Sequence, residues 1–180
     1  PNYAKAVADV VKELGGKPFL TDCNTLYPGS RKNALEHLQC AWENGFTAMT
    51  VGCPILIADG LKGTDDIEVP VEGGEYIEKA KIGRAIMDAD IFISLSHFKG
   101  HETTGFGGAI KNIGMGCGSR AGKKEQHTNG QPTIHEELCR GCRRCMRECA
   151  NNGLVFDEET KKMHIDGTNC VGCGRCIGAC

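Results

Sequence analysis

Between Cys139 and Cys180 the chain repeats one register of thiols twice: C-R-G-C-R-R-C-M-R-E-C, a bridge, then C-V-G-C-G-R-C-I-G-A-C. Both runs have the spacing C-x2-C-x2-C-x3-C, and every cysteine of the second lies 31 residues after its counterpart in the first. No other feature constrains the fold as strongly. A C-x2-C-x2-C loop wraps one cubic iron–sulfur cluster with three thiolates, and the fourth cysteine of the run reaches across to the other cluster. The register therefore assigns Cys139, Cys142, Cys145 and Cys180 to one [4Fe–4S] cluster, and Cys170, Cys173, Cys176 and Cys149 to a second. Zinc ribbons use two C-x2-C pairs and would leave the third and fourth cysteines of these runs unemployed. A disulfide framework belongs to a small secreted chain, and no signal peptide is visible.

The 180 residues suffice for one ordinary domain and a small one. A net charge of −2 with 40% hydrophobic residues describes a globular chain without the cationic excess that nucleic acid requires. No apolar run of about 18 residues offers a membrane span. Neither nucleic acid nor a membrane is expected as a partner. Reduced thiols and oxygen-sensitive clusters point to the cytoplasm of an anaerobic microbe. Cys23, Cys40, Cys53 and Cys117 stand apart from the array and read as small buried residues, with a redox thiol or extra ligand as the competing reading for Cys117. Pro1 is no initiator and Cys180 is itself a ligand, so the chain reads as a fragment truncated at both ends.

Hydrophobic periodicity predicts a helix over 3–14, with Tyr3, Val7, Val10, Val11 and Leu14 on its apolar face. A strand follows at 17–21, and then a helix N-capped by Ser30. Residues 46–51 are ambiguous. Further strands are expected at 55–58, at 67–71 (confined to an edge by Pro70) and at 91–95, with a helix over 74–88 between the last two. Alternating strands and helices imply an α/β domain with a largely parallel sheet and flanking helices, over residues 1–120. The polar, glycine-rich stretch 121–132 reads as a linker. Residues 133–180 read as a small α+β two-cluster ferredoxin module, with a possible strand at 133–135 and a hairpin of 154–156 with 163–165.

In open α/β sheets ligands gather beyond the carboxyl ends of the strands. Three polar loops stand there: one with Asp22, Asn24 and Arg31, one with Asp59, and one running from His97 through Lys99 and His101 to Lys111 and Asn112. Gly105, Gly107 and Gly108 in the third allow close backbone approach, and a helix starting near Phe106 would aim free N–H groups at an anion. Tight turns and a satisfied histidine pair explain the same residues without a ligand. The glycines match neither a dinucleotide fingerprint nor a Walker loop. His97 and His101, four apart, suit a metal only on a helix, and Gly100 argues for a loop. Asp22 and Asp59 are candidates for acid–base work, against the plainer reading that they cap turns.

The segments T-D-C-N-T-L-Y-P-G-S-R-K-N-A, I-A-D-G-L-K-G and L-S-H-F-K-G-H-E-T-T-G-F-G-G-A-I-K-N-I-G-M-G-C-G-S-R-A-G-K resemble the domain of unknown function 362 family. The resemblance is closest to its uncharacterised iron–sulfur subgroup, which carries a bacterial two-cluster ferredoxin module. It spans the whole chain and implies an α/β front domain with no assigned reaction. Ala150 departs from the module's pattern, where proline follows the fourth cysteine, and no tail follows Cys180.

All-cysteine clusters leave no open iron site, which favours electron transfer over chemistry at the metal. The electrons are expected to pass to or from a site on the α/β domain, where a small anionic ligand would sit, or a redox partner protein. Residues 139–180 hold seven Lys/Arg against five Asp/Glu, and Arg140, Arg143, Arg144 and Arg147 offer a docking surface for an acidic partner or simply a solvated basic face. The alternative is a non-catalytic ligand- or partner-binding protein whose clusters are structural or redox-sensing.

Overall fold

Helix α1 (Asn2–Glu13) buries a stripe made of Ala4 and Ala8, not the expected row of larger residues. Tyr3, Val10 and Leu14 are exposed. The two alanines let the helix close against the short helix α3 (Ala48–Val51), and together with Val51 and Cys53 they form the core onto which Leu20, Phe46 and Ile55 pack. This computed structural model describes residues 1–180 other than Pro28, Glu102, Thr103, Asn129, Gly130, Val171 and Cys173.

After the Gly15-Gly16 stop come β1 (Leu20–Asp22), α2 (Ala34–Glu43), α3 and β2 (Ile55–Ile57). Strands β1 and β2 pair in parallel with Leu20 opposite Ile55 and Asp22 opposite Ile57, as expected of a strand–helix–strand crossover. Asn33, not Ser30, caps α2: its side chain accepts from the Glu36 N–H at 3.0 Å. A reciprocal capping box of Thr47 and Thr50 turns the ambiguous stretch 46–51 into α3.

The predicted helix over 74–88 is not formed. Strand β3 (Asp66–Pro70) runs antiparallel to β4 (Lys79–Gly83), from Asp66 opposite Gly83 to Pro70 opposite Lys79, and only the one-turn helix α4 (Arg84–Met87) follows. The helical spacing of Ile82, Ala85 and Ile86 straddles this strand–helix junction. A tight turn intervenes, in which a Cβ on Gly74 would stand 2.2 Å from the Ile77 carbonyl oxygen. Residues 91–95 join no sheet, and Ile91, Phe92, Ile93 and Leu95 are exposed. Then come an antiparallel hairpin of β5 (Lys99–His101) and β6 (Gly105–Gly107), helix α5 (Ala109–Cys117) and helix α6 (Arg120–Thr128). Helix α6 occupies much of the stretch expected to be a linker.

Later in the chain α7 (Arg144–Glu148), β7 (Leu154–Phe156), β8 (Met163–Ile165) and α8 (Arg175–Ala179) follow one another. The β7–β8 hairpin has the expected register, with Leu154 opposite Ile165, and the buried Leu154 and Met163 anchor it. No strand forms at 133–135. The architecture is a mixture of helices and two-stranded sheets. Among the described residues β1–β2 is the only parallel pair, so the expected large parallel sheet is reduced to that unit. The chain divides into two compact units, Pro1–Thr25 with Gly29–Lys123, and Leu26–Pro28 with Lys124–Cys180.

Candidate functional site

In the second unit the two cysteine runs have matching backbones at the described positions as well as matching spacing. Gly141 and Gly172 both take the left-handed conformation (φ 64° and 67°), and so do Arg143 and Gly174 (φ 58° and 74°), each pair 31 residues apart. A one-turn helix follows in each run, α7 and α8, and the two helices pack together. Each ends on the fourth cysteine. Cys149 N–H donates to the Met146 carbonyl at 3.2 Å, and Cys180 N–H to that of Ile177 at 3.2 Å. Gly141 cannot be replaced without movement, because a Cβ there would stand 2.3 Å from the Lys161 carbonyl oxygen.

The fourth thiol of the first run stands beside two thiols of the second. Cys149, Cys170 and Cys176 line one cavity with Pro132, Leu154 and Ile165. The chain after Cys149 presses against Cys170, where a Cβ on Gly153 would be 2.8 Å from its Cα. In the other half, Cys180 and Cys142 lie close enough to Cys145 for their charges to raise its pKa, behind the larger effect of burial. Cys173 falls outside the described residues.

Main-chain N–H groups point at the sulfurs. Gly153 donates to Cys149 Sγ at 3.1 Å. The N–H groups of Gly141 and Met163 hold the Cys139 thiol below its usual pKa, favouring the thiolate that a metal requires. Such donors are the means by which a protein stabilises and tunes cluster sulfurs, so the residues present fit the group. Among the described residues no three His, Cys, Asp or Glu side chains converge as the ligands of a single ion would. In a cubic cluster each thiolate binds a different iron, so its four sulfurs stand farther apart than four ligands of one ion.

The first unit brings Asp22 and Asp59 together at the carboxyl ends of β1 and β2. Asp59 and Asn24 are wholly buried, and Asp59 Oδ1 accepts from Asn24 N at 2.9 Å and Nδ2 at 2.8 Å. Lys123 of α6, also buried, donates from Nζ to the Asn24 and Gly118 carbonyls, both at 2.8 Å. Asp22 Oδ1 accepts from Cys23 N at 2.9 Å, and its Oδ2 stands 3.7 Å from His37 Nε2. These are the bonds of turn-capping carboxyls, gathered around a buried ammonium.

Burial shifts every titratable group of this cluster toward its neutral form. It raises the Asp22 and Asp59 carboxyls against the pull of Lys123, and it lowers Lys123 itself. His37 falls to about 4, through burial and then the charges of Arg31 and Lys123. The Cys23 thiol is pushed up to about 12 by burial and then by Asp59, and Cys117 is raised by burial. Asn24 Oδ1, Asp59 Oδ2 and His37 Nδ1 have no hydrogen-bond partner among the described residues. The cluster can hold or pass a proton. Its thiols, kept protonated, are poor nucleophiles.

The glycine-rich loop stands apart from this cluster. Helix α5 begins at Ala109 with Gly108 as its cap, and Phe106 belongs to β6, so the expected helix start near Phe106 is not seen. His97 and Lys99 are exposed, His101 Nδ1 accepts from Thr104 N at 3.2 Å, and Asn112 Nδ2 donates to Ser94 Oγ at 3.1 Å. Gly105 takes φ 76° in the hairpin turn, and a Cβ on Gly107 would be 3.4 Å from Lys111 Cγ. Gly108 lies beside Phe98, whose ring meets that of Phe106 at 5.5 Å. Gly116, near the far end of α5, abuts Asp22, so about 10 Å of helix separates loop from cluster. Two of the three expected loops therefore converge, and the third does not. His37 and Lys123 complete the convergence without having been singled out in the sequence. The helical register of α2 offered a signal for His37, and no signal marked Lys123.

Among the described residues no helix is long and apolar enough to cross a membrane. No solved structure matches the chain. It is 40% identical over 51 residues to indolepyruvate oxidoreductase subunit IorA of Thermococcus kodakarensis, covering 27% of this chain and 8% of that one. It is 28% identical over 123 residues to thylakoid-associated protein sll1697 of Synechocystis, covering 65% and 32%. It is 38% identical over 60 residues to archaeal glutamate synthase [NADPH] of Archaeoglobus fulgidus, covering 31% and 12%. The matches thus span at most about a third of these relatives. The profile of one family matches residues 1–171, and the chain belongs to that family, Domain of unknown function (DUF362).

Proposed function

We propose that the chain is an iron–sulfur protein holding two [4Fe–4S] clusters and transferring single electrons to or from a site on the α/β unit or a redox partner protein. One observation carries this reading: Cys149 of the first run lines a cavity with Cys170 and Cys176 of the second, and Cys180 of the second lies near Cys145 of the first. Four-cysteine ligation supplies one-electron chemistry and leaves no open iron. The chain's own part is to place the thiols, to donate N–H groups to Cys139 and Cys149, and to shield the second site with Leu154 and Ile165. The oxidoreductase and synthase names of two relatives that share short segments with the chain agree with electron transfer.

Anaerobic reconstitution with iron and sulfide tests it. About eight irons per chain and two interacting reduced EPR signals are expected. Cys180→Ser and Cys149→Ser should each remove one cluster, and different ones. Four irons in the unmodified chain would refute the two-cluster assignment.

A second reading keeps the clusters structural or sensory in a ligand- or partner-binding protein. It is favoured by the sparse core of the second unit, where Leu26, Leu154 and Met163 are the buried apolar side chains among the described residues. A metal centre would stabilise so small a unit outright. Clusters that resist reversible reduction at accessible potentials would decide for this reading.

A further inference from the structure

The two halves of the cysteine array share a backbone but not a surface. In the run 139–149, Arg140, Arg143, Arg144 and Arg147 face a single acidic residue, Glu148. The run 170–180 carries Arg175 and no acid. The first run therefore has a net charge of 4 − 1 = +3 and the second +1, before any cofactor charge is counted.

All four arginines of the first run are exposed. Arg143 is committed elsewhere: its guanidinium donates to Glu158 at 3.0 Å and lies 3.6 Å over the Phe156 ring. Arg140, Arg144 and Arg147 have no carboxylate partner among the described residues. Of the acids that follow, Asp157, Glu158 and Asp166 are occupied within the fold. Glu158 takes Arg143 and Lys161, Asp157 accepts from the N–H groups of Glu159 and Thr160, and Asp166 accepts from Thr168 and Asn169. Three cations are thus left unneutralised around the thiols of one half. Apolar side chains stand exposed among them: Met146 (45%) on α7 and its 31-residue counterpart Ile177 (64%) on α8, the helix packed against it. Unpaired arginines beside exposed apolar side chains are the composition of a docking face, in which the apolar part supplies contact and the charges supply steering and orientation.

We propose that this arginine collar is the docking surface for an acidic electron-transfer protein, which exchanges electrons at the half built by Cys139, Cys142, Cys145 and Cys180. The inference rests on the two-cluster reading above. Guanidinium groups flanking the ligands would draw a carboxylate-rich partner to this half, and its sparsely charged twin would be passed over.

The test uses the reconstituted full chain, reduced in a stopped-flow cell by a flavodoxin of low isoelectric point. The rate constant should fall steeply as salt rises. Combined Arg140→Gln, Arg144→Gln and Arg147→Gln should slow the reaction about tenfold at low salt and flatten that dependence. The corresponding triple lysine variant should keep most of the rate. Reduction by methyl viologen radical cation, which needs no acidic docking, should not slow in any variant. A rate indifferent to salt, a glutamine variant as fast as the unmodified chain, or a lysine variant as slow as the glutamine one would each overturn the proposal. Clusters that viologen cannot reduce would instead overturn the electron-transfer reading beneath it.

Discussion

His37 is buried beside Asp22 yet kept neutral, because desolvation, Arg31 and Lys123 outweigh the nearby carboxyl. Its depressed pKa makes folding sensitive to acid. Between about pH 6.5 and about 4 the unfolded chain binds a proton that the folded chain refuses, so stability falls as pH falls through that window. The full shift corresponds to a loss on the order of 3 kcal/mol. His37→Gln should remove this dependence, so that denaturant midpoints of variant and parent, compared at pH 7 and pH 5, lose less on acidification in the variant. Equal losses would contradict it. At this scale the sequence was legible where a residue ends a strand, as Asp22 and Asp59 do in or next to β1 and β2. Lys123 was illegible because its neighbours are polar and glycine-rich. Its burial depends on the carbonyl of Asn24, which lies 99 residues earlier in the chain.

Caps and turns decide the elements. Asn33 holds the first turn of α2 through one exposed hydrogen bond, so Asn33→Ala should cost about 1 kcal/mol in chemical denaturation, while Ser30→Ala should cost little. A reversal of that order would restore Ser30 as the cap. Helices α1 and α2, strands β1 to β3 and the β7–β8 hairpin could be read from period and punctuation, because each has a continuous pattern bounded by Gly, Pro or a polar turn. The stretch 74–88 misled because Ile82, Ala85 and Ile86 keep helical spacing across a junction where backbone pairing with β3 takes over. The stretch 91–95 misled differently. Its I-F-I-S-L composition is that of a buried strand, but a strand exists only when a neighbour accepts its hydrogen bonds, and composition cannot supply the neighbour.

On the scale of the whole molecule, the two units do not have equal means of staying folded. The first has a packed core around Val51 and a buried polar cluster; the second has little apolar interior. Stripping iron with a chelator should therefore raise amide exchange throughout residues 139–180 while leaving β1, β2 and α1 protected. Uniform protection in both states would show that the second unit folds without metal. The 31-residue correspondence carries a further consequence. The halves agree where the main chain is constrained, at Gly141 with Gly172 and at Arg143 with Gly174, and differ where side chains meet water. Internal symmetry of this kind gives a molecule two equivalent ends. Charge concentrated at one of them removes the equivalence, and in an electron carrier it would distinguish a front from a back although the main chain is the same at either end.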